Sequence, residues 1–368
     1  MPFRPEPPHI HGTITKPAVV LVNLGTPESP TAAAVRPYLR EFLSDTRVVE
    51  IPRLVWWMIL NLIILPFRSA KSAAKYASIW TKEGSPLRIH TEKQAMLLRG
   101  ALGQRGHDLH VVHAMRYGQP SLPAVLQELK LAGCDRVLIV PAYPQYSATT
   151  TASIFDAVFD HFSRERNVPE LRMIKHYHDH EAYFLALEKS VRDHWATHGR
   201  PDKLVMSFHG TPKRTLLLGD PYFCECHKTG RLLAGRLGLS ADQYLITFQS
   251  RFGKAQWLQP YTQPTLESLG HAGTGRVDVI CPGFIGDCLE TLEEIDMEVR
   301  HAFLQAGGKE FHYIPCLNES PQWIAGLADI VEQHLQGWQT LSTPTSREQQ
   351  QLDGQRSLAE AMYFGAEK

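Results

Sequence analysis

Four short runs dominated by Val, Ile and Leu recur along the chain, at 18–23, 137–141, 204–208 and 277–281. They lack the apolar–polar alternation of a half-wet strand, so both faces of each must be covered. Between them lie longer segments with helical spacing, among them 32–43, 122–132, 230–237 and 290–305. This alternation predicts an α/β chain whose parallel sheets are flanked by helices.

The ends of the four runs fall into pairs. The first run leaves through Gly25-Thr26-Pro27 and the third through Gly210-Thr211-Pro212. The second leaves through Pro141-Ala142-Tyr143 and the fourth through Pro282-Gly283-Phe284. The same order of exits, met twice, predicts two similar Rossmann-like halves. We place the first at 17–160 and the second at 170–335, with a polar, mobile tail at 340–368 that carries at most a short helix. The first half is the longer, and its extra length, about 48–90, contains the most apolar stretch of the chain, LVWWMILNLIILPF.

That stretch has 14 residues, fewer than the roughly 20 a spanning helix needs, and it contains Asn61 and Pro66. It is expected to be a surface or buried helix rather than a membrane span. The first 17 residues hold no apolar segment of the secretory kind, so no signal peptide is expected. With 38 basic and 38 acidic side chains the formal net charge is zero, which gives no field for nucleic acid. Six cysteines without a C-x-x-C pair fit a reducing cytoplasm. No exit carries G-x-G-x-x-G and no P-loop occurs, which argues against nucleotide chemistry.

Ligands of open α/β sheets bind beyond the carboxyl ends of strands, so the exits are where chemistry is sought. His209, the last residue before the Gly210 turn, can bind a metal or accept a proton near neutral pH. After the fourth run come Asp287, Glu290, Glu294 and Glu298. The three glutamates are spaced i, i+4, i+8 and form one row on an α-helix, although like charges at that spacing weaken the helix. Favourable placement near a helix N-terminus accounts for Asp287 and Glu290 but not for Glu298. A divalent cation moving along the row, held loosely by carboxylates and one imidazole, accounts for all of them. Arg116 can hold a carboxylate with its planar fork. Tyr143, Tyr146 and the hydroxyls of 147–151 suit an aromatic wall with a polar rim. His176, His178 and His180 are read as structural, with Asp179 as a helix N-cap. Cys224-Glu225-Cys226-His227 lacks a second pair of ligands and is read the same way.

The segments LVNLGTPESP, AMRYGQPSL, VPAYPQYSATTT, MSFHGTP, GDPYFCECHKT, TFQSRFG and CPGFIGDCLETLEEI resemble those of ferrochelatases, the proteobacterial members in particular. The similarity runs from about 17 to 334. It implies two Rossmann-like halves with a porphyrin cleft between them, and insertion of Fe²⁺ into protoporphyrin IX with release of two protons, the last step of haem biosynthesis. His209 and Glu290 match the family's iron-contacting histidine and glutamate, the histidine being alternatively the proton acceptor. Asp287 and Phe284 match a catalytic aspartate and its aromatic neighbour, Glu294 and Glu298 the path of the metal, and Arg116 an active-site arginine. Cys288 stands where many animal members have histidine. The [2Fe-2S] cluster of animal enzymes is not expected, since Ala148 replaces one ligand and no cysteine follows Cys316. No permanent cofactor is expected; ferrous iron and the porphyrin are substrates.

In this light Trp56, Trp57, Met58, Ile59 and Leu60 are expected to form an apolar lip over the cleft, touching the ring and the inner membrane surface peripherally. Arg53 and Arg68 are placed to meet propionates or lipid phosphates. His209 and the Glu290 row are expected to flank the ring from opposite walls. A cobalt or nickel chelatase and a non-catalytic haem carrier are the rival readings; the acidic row has no use in a carrier. An apolar lip favours protoporphyrin over the four-propionate coproporphyrin.

Overall fold

The computed structural model describes residues 3–253, 255–341 and 344–366. Among the described residues, eight strands form two four-stranded parallel sheets. The first holds β1 (Ala18–Thr26), β2 (His110–Gly118), β3 (Arg136–Pro141) and β4 (Glu170–Met173), in the order β2-β1-β3-β4. The second holds β5 (Lys203–His209), β6 (Tyr244–Gln249), β7 (Arg276–Ile280) and β8 (Glu310–Ile314), in the order β6-β5-β7-β8. The two orders are the same under β1→β5, β2→β6, β3→β7 and β4→β8.

The correspondence extends to detail. Gly25 and Gly210 end equivalent strands, and each lies against a carbonyl of the neighbouring edge strand. A Cβ would meet Tyr117 O at 1.7 Å in one case and Gln249 O at 2.6 Å in the other, so only glycine fits. The Met115 N–H donates to Pro120 O at 2.7 Å and the Phe248 N–H to Pro260 O at 2.8 Å, the same return in each half. After β3 and after β7 the chain enters a π-helix, Ala148–Ala152 and Glu290–Val299.

The main core lies between the sheets. Val19, Leu21, Met206 and Phe208 point into it and pack on the helices Pro86–Gln104, Glu181–His198, Tyr222–Leu237 and Pro321–Leu335. Each sheet has its own outer layer, around Ile139 and Ile154 in the first half and Val279 and Ile295 in the second. The halves are also joined by hydrogen bonds: Gln94 Nε2 donates to Ile285 O (3.0 Å) and Asn318 O (2.8 Å), and Gln145 Nε2 to Thr229 Oγ1 (3.1 Å).

The extra length of the first half is a helical hairpin between β1 and β2. Helix Ala32–Leu43 leads to a continuous helical run, Arg53–Ile79. At 27 residues it is long and apolar enough to cross a membrane by length and composition alone, beyond the 14 apolar residues that suggested otherwise. Pro66 does not break it. The segment Leu60–Ile64 is a π turn, so the ladder is already out of α register where the missing N–H of Pro66 would have told. Ala73 and Tyr76 anchor the run against Val35, Tyr38 and Tyr117, and Leu60 and Leu65 are buried as well. Only 17% of its most apolar window is buried.

The polar tail carries a 20-residue helix, Pro344–Tyr363, longer than its composition suggested. Gly354 in that helix lies against Gly12, where a Cβ would meet the opposing backbone at 2.6 Å.

Candidate active site

His209 closes β5 and Glu290 opens the π-helix after β7, so both stand at the carboxyl edge of the second sheet, on adjacent strands. They are therefore on the same wall, not on opposite ones as the sequence suggested. Gln249 of β6 links them. It is the register partner of His209, and its Nε2 donates to Glu290 O at 2.8 Å. Its Oε1 accepts from Ser207 Oγ at 2.8 Å, which fixes the amide. The Nδ1 of His209 donates to Gly210 O at 2.6 Å, leaving Nε2 as the nitrogen with a lone pair.

Glu294 lies one turn further. Its carboxylate accepts from the Ser250 N–H at 2.7 Å, from the Ser250 hydroxyl and, at 3.4 Å, from Gln249. Ser250 adopts the left-handed conformation, φ +64°, which aims both of its donors at this carboxylate. Burial pushes the Glu294 carboxyl above the ordinary range, against the pull of Ser250 and of nearby His209; Glu290 pushes the same way as burial.

The i→i+5 closure of the segment changes the row that α spacing suggested. Residues five apart become neighbours, and Glu293 and Glu298 share one cation, Lys75 Nζ, at 2.9 Å each. Lys75 comes from the long helix of the first half. Glu290 and Glu294 stand at the inner end of the row, beside Gln249 and Ser250, while Glu298 at its outer end is clamped by a lysine 223 residues away.

Asp287 does not present an oxygen to the cleft. Its Oδ1 accepts from Tyr313 Oη (2.5 Å), Thr291 Oγ1 (3.2 Å) and the Cys316 N–H (3.3 Å), and its Oδ2 from Asn318 Nδ2 (2.7 Å). It ties the start of the π-helix to the exit of β8. Cys288, next to it, is buried, and its thiol is pushed well up, first by burial and then by the Glu290 carboxylate.

Three tyrosines of the first half lie near Glu290. Tyr38, Tyr76 and Tyr143 are close enough to Glu290 for its charge to add to the effect of burial in raising their phenols. The Tyr143 hydroxyl is buried without a hydrogen-bond partner in the protein. Phe284 is half-buried against the outer layer of the second sheet. Arg116 does hold a carboxylate, but one of the protein's own. Its guanidinium donates to Asp45 at 2.6 Å and to Ser153 Oγ at 2.7 Å, and stacks 4.5 Å over Tyr117.

The lip divides its labour. Trp56 turns inward, its Nε1 donating to Leu43 O at 2.5 Å. Leu60 is buried and Ile59 half-buried. Leu54, Val55, Trp57, Met58, Leu62, Ile63 and Phe67 are exposed, Trp57 to 60%. Arg68 lies over the Phe252 ring at 4.8 Å, and Arg214 pairs with Glu50 at the other end of the lip.

Two segments read separately as structural meet in space. Glu225 accepts from His176 Nδ1 at 2.7 Å and from the Tyr146 N–H at 2.7 Å, with His178 Nδ1 at 3.4 Å from it. His180, not Asp179, caps the helix Glu181–His198; Asp179 pairs with Lys228. His227 lies among Phe223 and Phe248.

The ferrochelatase family model matches residues 16–335. The chain belongs to the ferrochelatase family. Proteins named ferrochelatase from Janthinobacterium sp. (strain Marseille) and Herminiimonas arsenicoxydans are each 67% identical to it over 368 residues, the full length of both chains. One from Dechloromonas aromatica is 63% identical over 99% of each. The structure of SirB from Bacillus subtilis with Fe³⁺ shares the fold, at 12% identity and a TM-score of 0.51 over 89% of this chain and all of that one. The chain is an enzyme, a metal-inserting lyase of the ferrochelatase type, with the chelatase fold.

Sequence reasoning missed Gln249, Ser250, Lys75, Asp45 and Ser153. Gln249 and Ser250 sat in view within TFQSRFG, at the exit of the third strand's neighbour. Nothing local signals the other three, whose partners lie far away in the chain.

Proposed function

We propose that the chain inserts Fe²⁺ into protoporphyrin IX to give protohaem and two protons, through the cleft edge formed by His209, Glu290 and Glu294. The observation that carries this reading is the convergence, on one sheet edge, of an imidazole with an oriented Nε2 and two carboxylates, with tyrosines of the first half near Glu290. A flat, mostly apolar ring seats against the tyrosines. Fe²⁺ is passed inward past Glu294, a buried carboxylate held in place by Ser250, to Glu290 and His209. Loose binding by oxygen and one nitrogen lets the metal leave for the ring. The pyrrole protons pass to His209 or Glu290, both within the water-poor site. Asp287 is assigned a positioning role, since it holds the π-helix at the depth at which Glu290 meets the cleft. Arg116, tied to Asp45, shapes the first-half wall rather than seizing a propionate. The enzyme works without a resident cofactor.

The exposed apolar face of the lip, with Arg53 and Arg68 at its ends, is assigned to porphyrin entry and peripheral contact with the inner membrane surface from the cytoplasm. The decisive experiment is anaerobic incubation of the purified chain with Fe²⁺ and protoporphyrin, following loss of porphyrin fluorescence. Turnover by the wild type and its collapse in folded His209→Ala and Glu290→Gln variants is the expected result. Tight haem binding without turnover would make the chain a carrier.

A further inference from the structure

At the far end of the second sheet lies a group of histidines that the proposed chemistry does not use. His194 and His198 are four residues apart on the helix Glu181–His198 and share one face, their rings 4.3 Å apart. His312 of β8 meets them from the sheet, its ring 5.4 Å and 5.0 Å from theirs. One ring nitrogen of each lies within 4.8 Å of the others. In register, His312 pairs with Asp278 and Asp278 with Leu204, five residues before His209. At the rise of a parallel strand that is about 16 Å below the cleft edge.

The rings are arranged as ligands rather than as packing. His198 Nδ1 donates to His194 O at 3.1 Å, which fixes the tautomer and leaves Nε2 with its lone pair. Metal-binding imidazoles are oriented by a bond of this kind. His194 Nε2 is buried and has no hydrogen-bond partner. It stands 3.6 Å from the Oδ2 of Asp278, a wholly buried carboxylate already engaged by Arg276 Nε (2.9 Å) and Trp195 Nε1 (3.0 Å). The Asp278 charge is thus answered by Arg276. Burial lowers the pKa of His194 and of His312, with Asp278 pulling the other way and Arg276 adding to the effect of burial. Glu310, two residues before His312 on the same strand face, has Oε2 3.8 Å from His312 Nε2 and is exposed.

We propose that His194, His198 and His312 form a second metal site, for a late first-row divalent ion such as Zn²⁺, Co²⁺ or Ni²⁺, with Glu310 as the oxygen ligand. Three imidazoles and a carboxylate are a tetrahedral donor set that such ions favour over Fe²⁺ in the usual affinity order. Binding requires the nitrogens to draw in from their present spacing, by rotation of the exposed His198 and the half-buried His312 toward His194. The bound ion ties the C-terminal turn of the helix to β8, apart from the iron path.

The test uses the full chain carrying His209→Ala and Glu290→Gln, so that the cleft does not compete. Titration with Co²⁺ is followed by the visible d–d bands of tetrahedral cobalt. One bound equivalent is expected. His198→Gln, at an exposed position that leaves folding intact, and His312→Gln are each expected to weaken it by more than the ~10–100-fold that loss of an outer-shell partner costs. Zn²⁺ is expected to raise the thermal midpoint of the parent and not that of His198→Gln. Absence of a tetrahedral spectrum in the parent, or an unchanged one in His198→Gln, would overturn the proposal.

Discussion

Replacing Asp287 by Ala separates a positioning carboxylate from one that touches iron. Asp287 is 6% exposed, and removing its carboxylate leaves the Tyr313 hydroxyl, the Asn318 amide and the Cys316 N–H without the acceptor each now has. Thr291 keeps a second partner in Cys288 O and loses little, while Tyr313 keeps only the weak acceptor Cys316 Sγ at 3.4 Å. A buried donor left unpaired costs about 1–3 kcal/mol. Three such donors, less the relief of no longer burying a charge, give roughly 3–5 kcal/mol. In urea unfolding this appears as a lower midpoint with an unchanged slope. Iron insertion should fall in parallel, because the same bonds set the depth of the π-helix carrying Glu290. Asp287→Asn, which keeps one acceptor oxygen, should lose about half as much of both. A variant whose stability stays within about 0.5 kcal/mol of wild type while insertion collapses would refute the argument and put Asp287 on the metal.

Other expectations concern the lip, the acidic row and one buried imidazole. Trp57→Ser should raise the KM for porphyrin and reduce flotation with anionic vesicles at unchanged stability, whereas Trp56→Phe, losing its bond to Leu43, should cost about 1 kcal/mol of stability. Equal effects of the two on KM would return both to the ring-binding surface. Lys75→Gln frees Glu293 and Glu298, so the KM for Fe²⁺ should fall at low ionic strength and the difference should vanish in high salt; an unmoved KM would take the outer carboxylates off the metal path. His227 is held below the usual histidine range by burial, with Arg231 adding to it. The unfolded chain therefore binds the extra proton first, and stability present above about pH 6.5 is lost as pH falls toward the depressed folded value. His227→Phe should match wild type above neutrality and be the more stable near pH 5, read by thermal midpoint; parallel loss of stability in both proteins would show that His227 is not the group.

The strands legible in the sequence were β1, β3, β5 and β7, which are the inner strands of the two sheets. Buried on both faces, they read as unbroken apolar runs. The edge strands, such as HVVHAMRYG and EFHYI, carry polar residues on an open face and did not stand out. The paired exits were legible because turn chemistry is local, and they located His209, Glu290 and Tyr143. The π closure of Glu290–Val299 was not, since composition does not distinguish i→i+5 from i→i+4 bonding. That is why Glu298 was read as one of a cleft row when it shares Lys75 with Glu293. Asp287 and Arg116 were recognisable as charged residues at the site, but their partners come from Asn318 and Asp45, beyond the reach of any motif.

The matched strand orders place the metal-facing side chains in one repeat and the lip insertion in the other. A duplicated scaffold of this kind leaves one copy at liberty to drift. Insertions and deletions between β1 and β2 can reshape the entrance, and with it the choice of tetrapyrrole, without passing through the His209–Gln249–Glu290 edge. The two repeats can therefore evolve at different rates around the core they share, with Lys75 reaching across to the π-helix.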